Sequence, residues 1–354
     1  MIPYLLLLFY IIIACSLKLK NKKVTLLFCL IPFYAFMASQ QGWTPDYYDY
    51  EALYEEAQLN WQMSYFALKL EFLYAWLEHI MPSYRMLIIT QVTLYTIALY
   101  ILFYYHIPRK YWIISFVLFW LDYNMLMMSV SAIRSCIVAS LFIIAYHLKS
   151  LGYRIPPFLL IFMSVFIHKS AILLLPFILI PKHVNKLVLR LIIVLTAVIA
   201  AMVFVMPSSF NQALIAFLNE SEEFSSYMNY TNAQTLTVTG MMVRLISIIC
   251  VFFVISVAIN NKDKNQHYDD FVFICAIFIL LLRIIPNIGS TTRFVNYFGP
   301  IVLVCNAKIL QMDRTNKSYL YVGVSILFAV YHLMNSLPSM GAWESYRIYK
   351  SVLF

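Results

Sequence analysis

The chain has 354 residues, of which 63% are hydrophobic and only 12% charged, too little polar surface to cover a water-soluble globule of this size. The formal charge of +9, from 25 Lys and Arg against 16 Asp and Glu, comes without a polar domain or a basic-aromatic strip, so nucleic-acid binding is set aside and the charge is read as membrane topology and anionic lipid. The six cysteines lie in apolar runs without CxxC spacing and are read as packing residues, while the seven histidines are dispersed, so neither a metal nor a cofactor is expected.

A membrane span takes ~20 apolar residues, fewer where protein flanks its ends. Such segments are expected near 3–17, 24–38, 86–105, 111–128, 130–148, 155–168, 170–181, 187–206, 241–259, 270–287, 294–311 and 318–335. The fold class that follows is all-α: a polytopic integral membrane protein with about twelve transmembrane helices in a single transmembrane domain, 1–354, and an outer-face cavity. The pair 155–168 and 170–181 is short and punctuated by Pro156, Pro157, Pro176 and Pro181, so a bent or re-entrant hairpin is the alternative there.

The first segment opens on Met1-Ile2-Pro3-Tyr4, and its lysines, Lys18, Lys20, Lys22 and Lys23, follow the apolar run. A signal peptide needs positive charge ahead of that run, so a retained helix with its N-terminus outside is expected. Alternating sides from this start places Arg109 and Lys110, Lys149 and Arg154, Lys182, Lys186 and Arg190, Lys262 and Lys264, and Lys308, Arg314 and Lys317 in the cytoplasm. Every such loop then obeys the positive-inside rule.

Two longer loops, 39–85 and 207–240, are thereby assigned to the extracytoplasmic side. The first carries Asp46, Asp49, Glu51, Glu55 and Glu56 with Trp43, Tyr47, Tyr48, Tyr50, Tyr54 and Trp61, and the second carries Glu220, Glu222 and Glu223. Aromatics of this kind suit carbohydrate, and the apolar-periodic stretch Phe66 to Ile80 is expected to lie along the interface as an amphipathic helix.

Arg134, His168, Lys169, Arg244, Arg283 and Arg293 remain near the outer helix ends, where topology disfavours cations. A charge near the bilayer centre costs ~2.5–3.5 kcal/mol on insertion scales, which calls for a partner; snorkelling to the headgroups is the alternative for each residue taken singly. Guanidinium groups suit pyrophosphate oxygens and the charge that builds on a phosphate leaving group. A lipid-linked pyrophosphate sugar has that anion at this depth, and anionic phospholipid is a weaker fit.

Three stretches carry a resemblance. Asp46-Tyr47-Tyr48-Asp49-Tyr50-Glu51-Ala52-Leu53-Tyr54 forms the first. The second runs from Ala132-Ile133-Arg134-Ser135 and Ile137-Val138-Ala139, through Phe158, to Phe166-Ile167-His168-Lys169-Ser170-Ala171 and Leu175-Pro176. Thr292-Arg293-Phe294-Val295-Asn296-Tyr297-Phe298 is the third. With these the chain resembles the EpsG-type branch of bacterial Wzy-like polysaccharide polymerases. The family commonly shows a Glu-Pro-Gly-like turn after the first loop, where this chain reads Trp61-Gln62-Met63-Ser64-Tyr65.

The resemblance implies a multi-pass protein of the bacterial inner (cytoplasmic) membrane that joins oligosaccharide repeat units on polyprenyl pyrophosphate into surface polysaccharide such as O-antigen, capsule or exopolysaccharide. Its partners would be that lipid-linked oligosaccharide, membrane lipid, a chain-length regulator and a flippase. Arg134, Lys169, Arg244 and Arg293 would then hold the pyrophosphate, with Arg283 countering the charge that develops as the bond breaks. His168 is the first candidate for general base, because imidazole titrates near neutral pH, with Asp46 and Asp49 behind it. A polysaccharide-modifying membrane O-acyltransferase using His168 and a lipid-linked glycan flippase are the competing readings.

Overall fold

In the computed structural model the described residues are 2–17, 19–42, 46–122, 125, 132–181, 184–205, 238–261, 269–284, 291–312 and 315–339. Their secondary structure is helical, with no strand among them. Among the described residues, helix falls within each apolar segment read from the sequence. By length and composition, three helices among the described residues suffice to cross a membrane: Tyr84–His106, Ile133–Ser150 and Met242–Asn261. The loop 207–240 lies outside the described residues up to Val238.

The chain falls into two compact units. The first comprises Met1–Leu179 and Ser325–Phe354. It holds α1 (Ile2–Ser16), α2 (Lys22–Ala38), α3 (Tyr47–Asn60), α4 (Tyr65–Leu68), α5 (Phe72–Ile80), α6 (Tyr84–Ile101), α7 (Trp112–Leu121), α8 (Ile133–Ser150), α9 (Ile155–Val165) and α10 (Leu175–Leu179). The second, Ile180–Val324, holds α11 (Lys186–Val205), α12 (Val238–Asn261), α13 (Asp270–Ile284) and α14 (Thr291–Met312). α15 (Asn316–Ser339) runs from the second unit into the first. In the second unit α13 packs against α12 and α14, and α11 against α12.

In the first unit α6 packs against α8 and α2, α1 against α2 and α7, and α9 against α8. Lipid tails are as apolar as Leu, so such helices are held by close packing rather than by escape from water. With 7 glycines in the chain, interlocked rings do this work. Phe103 stacks on Phe116 at 4.0 Å, and Phe33 meets Phe119 edge-on at 5.7 Å. Each such pair contributes about 0.5–1.5 kcal/mol beyond burial. The Trp112 indole N–H donates to the Phe103 and Ile107 carbonyls, satisfying backbone that the π turn Leu102–His106 withdraws from the helical ladder.

Helix ends follow local chemistry. Asn21 caps α2 by accepting from Lys23 N at 2.9 Å, and Ser83 caps α6 by accepting from Met86 N at 3.2 Å. α9 starts with prolines in its first turn, where their missing N–H groups cost nothing. Within the segment expected over 111–128, α7 ends at Leu121 and Asp122 is extended, its carboxylate accepting from the N–H of Met125, which is again helical, at 3.2 Å; 123, 124 and 126–128 lie outside the described residues.

Two local expectations are sharpened. Residues 155–181 form the bent hairpin: α9 ends at Val165, Phe166 and Ile167 turn, His168 is extended, and a 3-10 turn Lys169–Leu174 leads into α10, which packs back on α9. The single interfacial helix expected over Phe66 to Ile80 is instead two short helices, α4 and α5. Leu70 breaks it with φ 65°, a left-handed conformation unfavourable for a side chain with a Cβ, and delivers Glu71 to the buried side.

The first-loop aromatics divide between surface and interior: Tyr48 is exposed, and Tyr50 and Trp61 are half-buried. Tyr47 and Tyr54 are buried, clustered on Tyr84 at 5.1 and 5.9 Å, and the Tyr54 hydroxyl donates to the Met81 carbonyl at 2.8 Å. Arg85 ties this loop to α2 by donating to the Ala38 and Gln40 carbonyls, orphan acceptors at a helix C-terminus.

Candidate functional site

The first unit gathers charge at one place. Glu71 precedes α5 and is 1% exposed. Its backbone carbonyl accepts the first amides of α5, from Tyr74 and Ala75, while its side chain turns away from its own helix. One carboxylate oxygen pairs with Arg134 Nη1, from the first turn of α8. The other meets His168 Nδ1 at 2.8 Å and accepts the Lys169 backbone N–H at 3.0 Å. Three segments distant in sequence thus converge on one carboxylate.

Arg134 is walled in by rings. Its guanidinium lies 4.2 Å from the Phe66 ring centroid and 5.7 Å from that of Tyr50, and its Nε donates to the Tyr50 hydroxyl at 3.4 Å. Such stacking holds a cation flat and partly desolvated. Of the three side chains Arg134 is the most open, 18% exposed against 2% for Glu71 and 4% for His168. It is therefore the edge at which an anion can arrive.

Burial by itself pushes the Glu71 carboxyl up. The His168 hydrogen bond, the Arg134 charge and the Lys169 amide outweigh it and hold the group down at about 2. Glu71 is thus an anion at any physiological pH. A carboxylate on Nδ1 fixes the tautomer of a neutral imidazole, placing the proton on Nδ1 and the basic lone pair on Nε2. This is the orienting arrangement that prepares a histidine to take a proton.

Of the residues singled out from sequence, the structure brings Arg134, His168 and Lys169 together, the last through its backbone. Asp46 and Asp49 do not join them. Both are exposed at the start of α3, where acids complement the helix dipole, and it is Tyr50 from that segment that reaches Arg134. Arg244 (α12), Arg283 (last turn of α13) and Arg293 (first turn of α14) belong to the second unit. Arg244 Nη1 is buried without a hydrogen-bond partner among the described residues; the side chains of Arg283 and Arg293 lie outside them.

Glu71 is the residue that sequence reasoning missed. It stands at the Leu70 turn, beyond the Trp61–Tyr65 stretch that lacks the Glu-Pro-Gly-like turn. Its signal was present: Glu71, Tyr74, Ala75 and Glu78 recur at helical spacing, which puts two carboxyls on one face of an apolar stretch, and that face is buried.

A cavity of about 220 Å³ between α2 and α6, lined by Leu27, Leu30, Ile31, Tyr34, Thr96, Ile97 and Tyr100, presents an apolar surface and touches none of these groups. Among the described residues no group of three or more His, Cys, Asp or Glu is arranged to hold a metal. The six cysteines form no disulfide; Cys15 and Cys29 are in thiol contact at 3.4 Å.

No curated protein and no solved structure is significantly similar to the chain. A family model does match it, over residues 24–351, a span that contains all three stretches of the resemblance together with Glu71, Arg134 and His168. With that match along nearly its whole length, the chain belongs to the EpsG family.

Proposed function

We propose that the protein joins lipid-linked oligosaccharide repeat units at the outer face of a bacterial cytoplasmic membrane. The donor is a growing glycan on polyprenyl pyrophosphate and the acceptor a new lipid-linked unit. The acceptor sugar's hydroxyl attacks the donor's anomeric carbon, the bond from that carbon to the pyrophosphate oxygen breaks, and the lipid pyrophosphate leaves with its electron pair. Family membership and membrane-length helices support a membrane protein of the polysaccharide-polymerase kind.

The observation that carries the finer reading is the Glu71–Arg134–His168 cluster. Arg134 offers the diphosphate a permanent charge on a rigid, ring-stacked fork. His168, oriented by Glu71, takes the proton of the attacking hydroxyl. Lys169, whose backbone N–H already joins the cluster, adds cationic charge for the pyrophosphate, and an outer-face cavity admits the two lipid-linked substrates.

Reconstitution in vesicles with purified lipid-linked repeat units tests this. Chain growth that disappears in His168→Ala and Arg134→Ala at equal membrane levels supports it. Movement of intact units across the bilayer without growth points to a flippase, and acyl transfer to preformed polymer points to an acyltransferase; either result without chain growth overturns the proposal.

A further inference from the structure

The buried face of α5 carries a second carboxyl that the mechanism does not use. Glu78 lies seven residues beyond Glu71 on the same helical face, ~10 Å along the axis. It has no exposed surface, and neither oxygen has a hydrogen-bond partner among the described residues. The Gln58 side-chain amide donates to its backbone carbonyl at 2.6 Å, which anchors this end of α5 to α3. Between the two acids stands Tyr74, fully buried, its hydroxyl outside regular hydrogen-bond geometry but close enough to the Glu78 carboxyl to favour its charge, and its ring 5.9 Å from the Arg134 guanidinium.

An ionised carboxylate in such a place is strongly disfavoured, and the group keeps its proton instead. We propose that Glu78 is carried as a neutral carboxylic acid behind the anion site, and that it acts as a positioning residue through Arg134. While Glu78 is neutral, Arg134 is shared between Glu71 and the arriving diphosphate. Once Glu78 ionises, a second negative charge competes for the guanidinium and repels the donor. The proposal rests on the reading of Arg134 as a diphosphate-binding group.

The groups facing Glu78 make the sign clear. They are Tyr54, Glu56, Tyr74 and Tyr84 from the first-loop segments and α6, Glu71 on its own face, and Arg134 from α8. Burial dominates and pushes the carboxyl up to about 8; Tyr74 and Arg134 oppose it, and Glu56 and Glu71 add to it. One helix face thus holds a carboxyl at about 2 and another at about 8, the separation by which a protein keeps one acid charged and its neighbour protonated.

Infrared difference spectra of the full-length chain in lipid test the proton directly. A protonated-carboxyl carbonyl band is expected at neutral pH, lost with a midpoint near 8 and missing from Glu78→Gln. Tyr74→Phe, which deletes the opposing hydroxyl, should move that midpoint upward. In the reconstituted assay the KM for the lipid-linked donor should rise about tenfold per pH unit above the midpoint in the wild type. It should stay flat in Glu78→Gln, with kcat little changed in either.

A band that survives in Glu78→Gln, a carboxyl already ionised at neutral pH, a midpoint unmoved or lowered in Tyr74→Phe, or an alkaline KM rise retained in Glu78→Gln would each overturn the proposal. The infrared arm needs no substrate, so a wild type that fails to extend glycans sinks the polymerase reading and leaves the buried proton standing or falling on its own band.

Discussion

Glu71→Gln replaces a charge shared by two partners with an amide of the same shape in a site that is 1% exposed. The carboxyl is held at about 2 against an ordinary 4.5. At ~1.36 kcal/mol per pH unit, that gap is worth roughly 3 kcal/mol of folding stability at neutral pH. The loss of about 3–5 kcal/mol seen when one member of a buried ion pair is removed brackets the same figure. Because the folded pKa is depressed, the contribution is complete above about 4.5 and is lost as pH falls through about 2; near pH 3 less than half of it remains. Denaturant unfolding of the purified chain in detergent, followed by tryptophan fluorescence, measures it. The variant-minus-wild-type difference taken near pH 7 and near pH 3 cancels most other titrations. A difference under about 1 kcal/mol at neutral pH, or one as large at low pH, would refute the assignment of Glu71 as the charge that holds the site together.

His168→Ala should lower glycan extension by about 10²–10⁴-fold, the usual range for loss of a general base, with membrane levels unchanged by immunoblot. Arg134→Lys keeps the charge but not the planar fork on Phe66, so the donor KM should rise at least about tenfold. Arg85→Ala leaves two carbonyls at the end of α2 without their donor and should cost about 1.5–3 kcal/mol of stability while leaving the donor KM alone. Leu70→Gly relieves a left-handed residue worth about 1–2 kcal/mol against an added backbone entropy of about 0.5–1, so unfolding should show a net gain of roughly 0.5–1 kcal/mol.

The apolar segments, the hairpin around His168 and the family itself were legible in the residues, because helix formation and membrane insertion depend on neighbours within a turn or two. Arg134 and His168 stood out for a similar reason: each is a polar residue inside or at the edge of an apolar run, visible without any partner. Asp46 and Asp49 were conspicuous on the same ground, yet they face outward at the start of α3. Exposure is a property of packing, and spacing along one segment does not encode it.

Glu71 shows where sequence stopped. Read locally it is one acid on an amphipathic stretch, as suited to a solvated face as to a buried one. Only the left-handed turn at Leu70 aims it inward, and only the fold brings it to Arg134, 63 residues away, and to His168, 97 residues away. Composition and local patterning suffice to mark a helical membrane protein of the EpsG family. Which of its charges share one buried site was decided by tertiary structure, since an ion pair forms across space and its partners need no proximity along the chain.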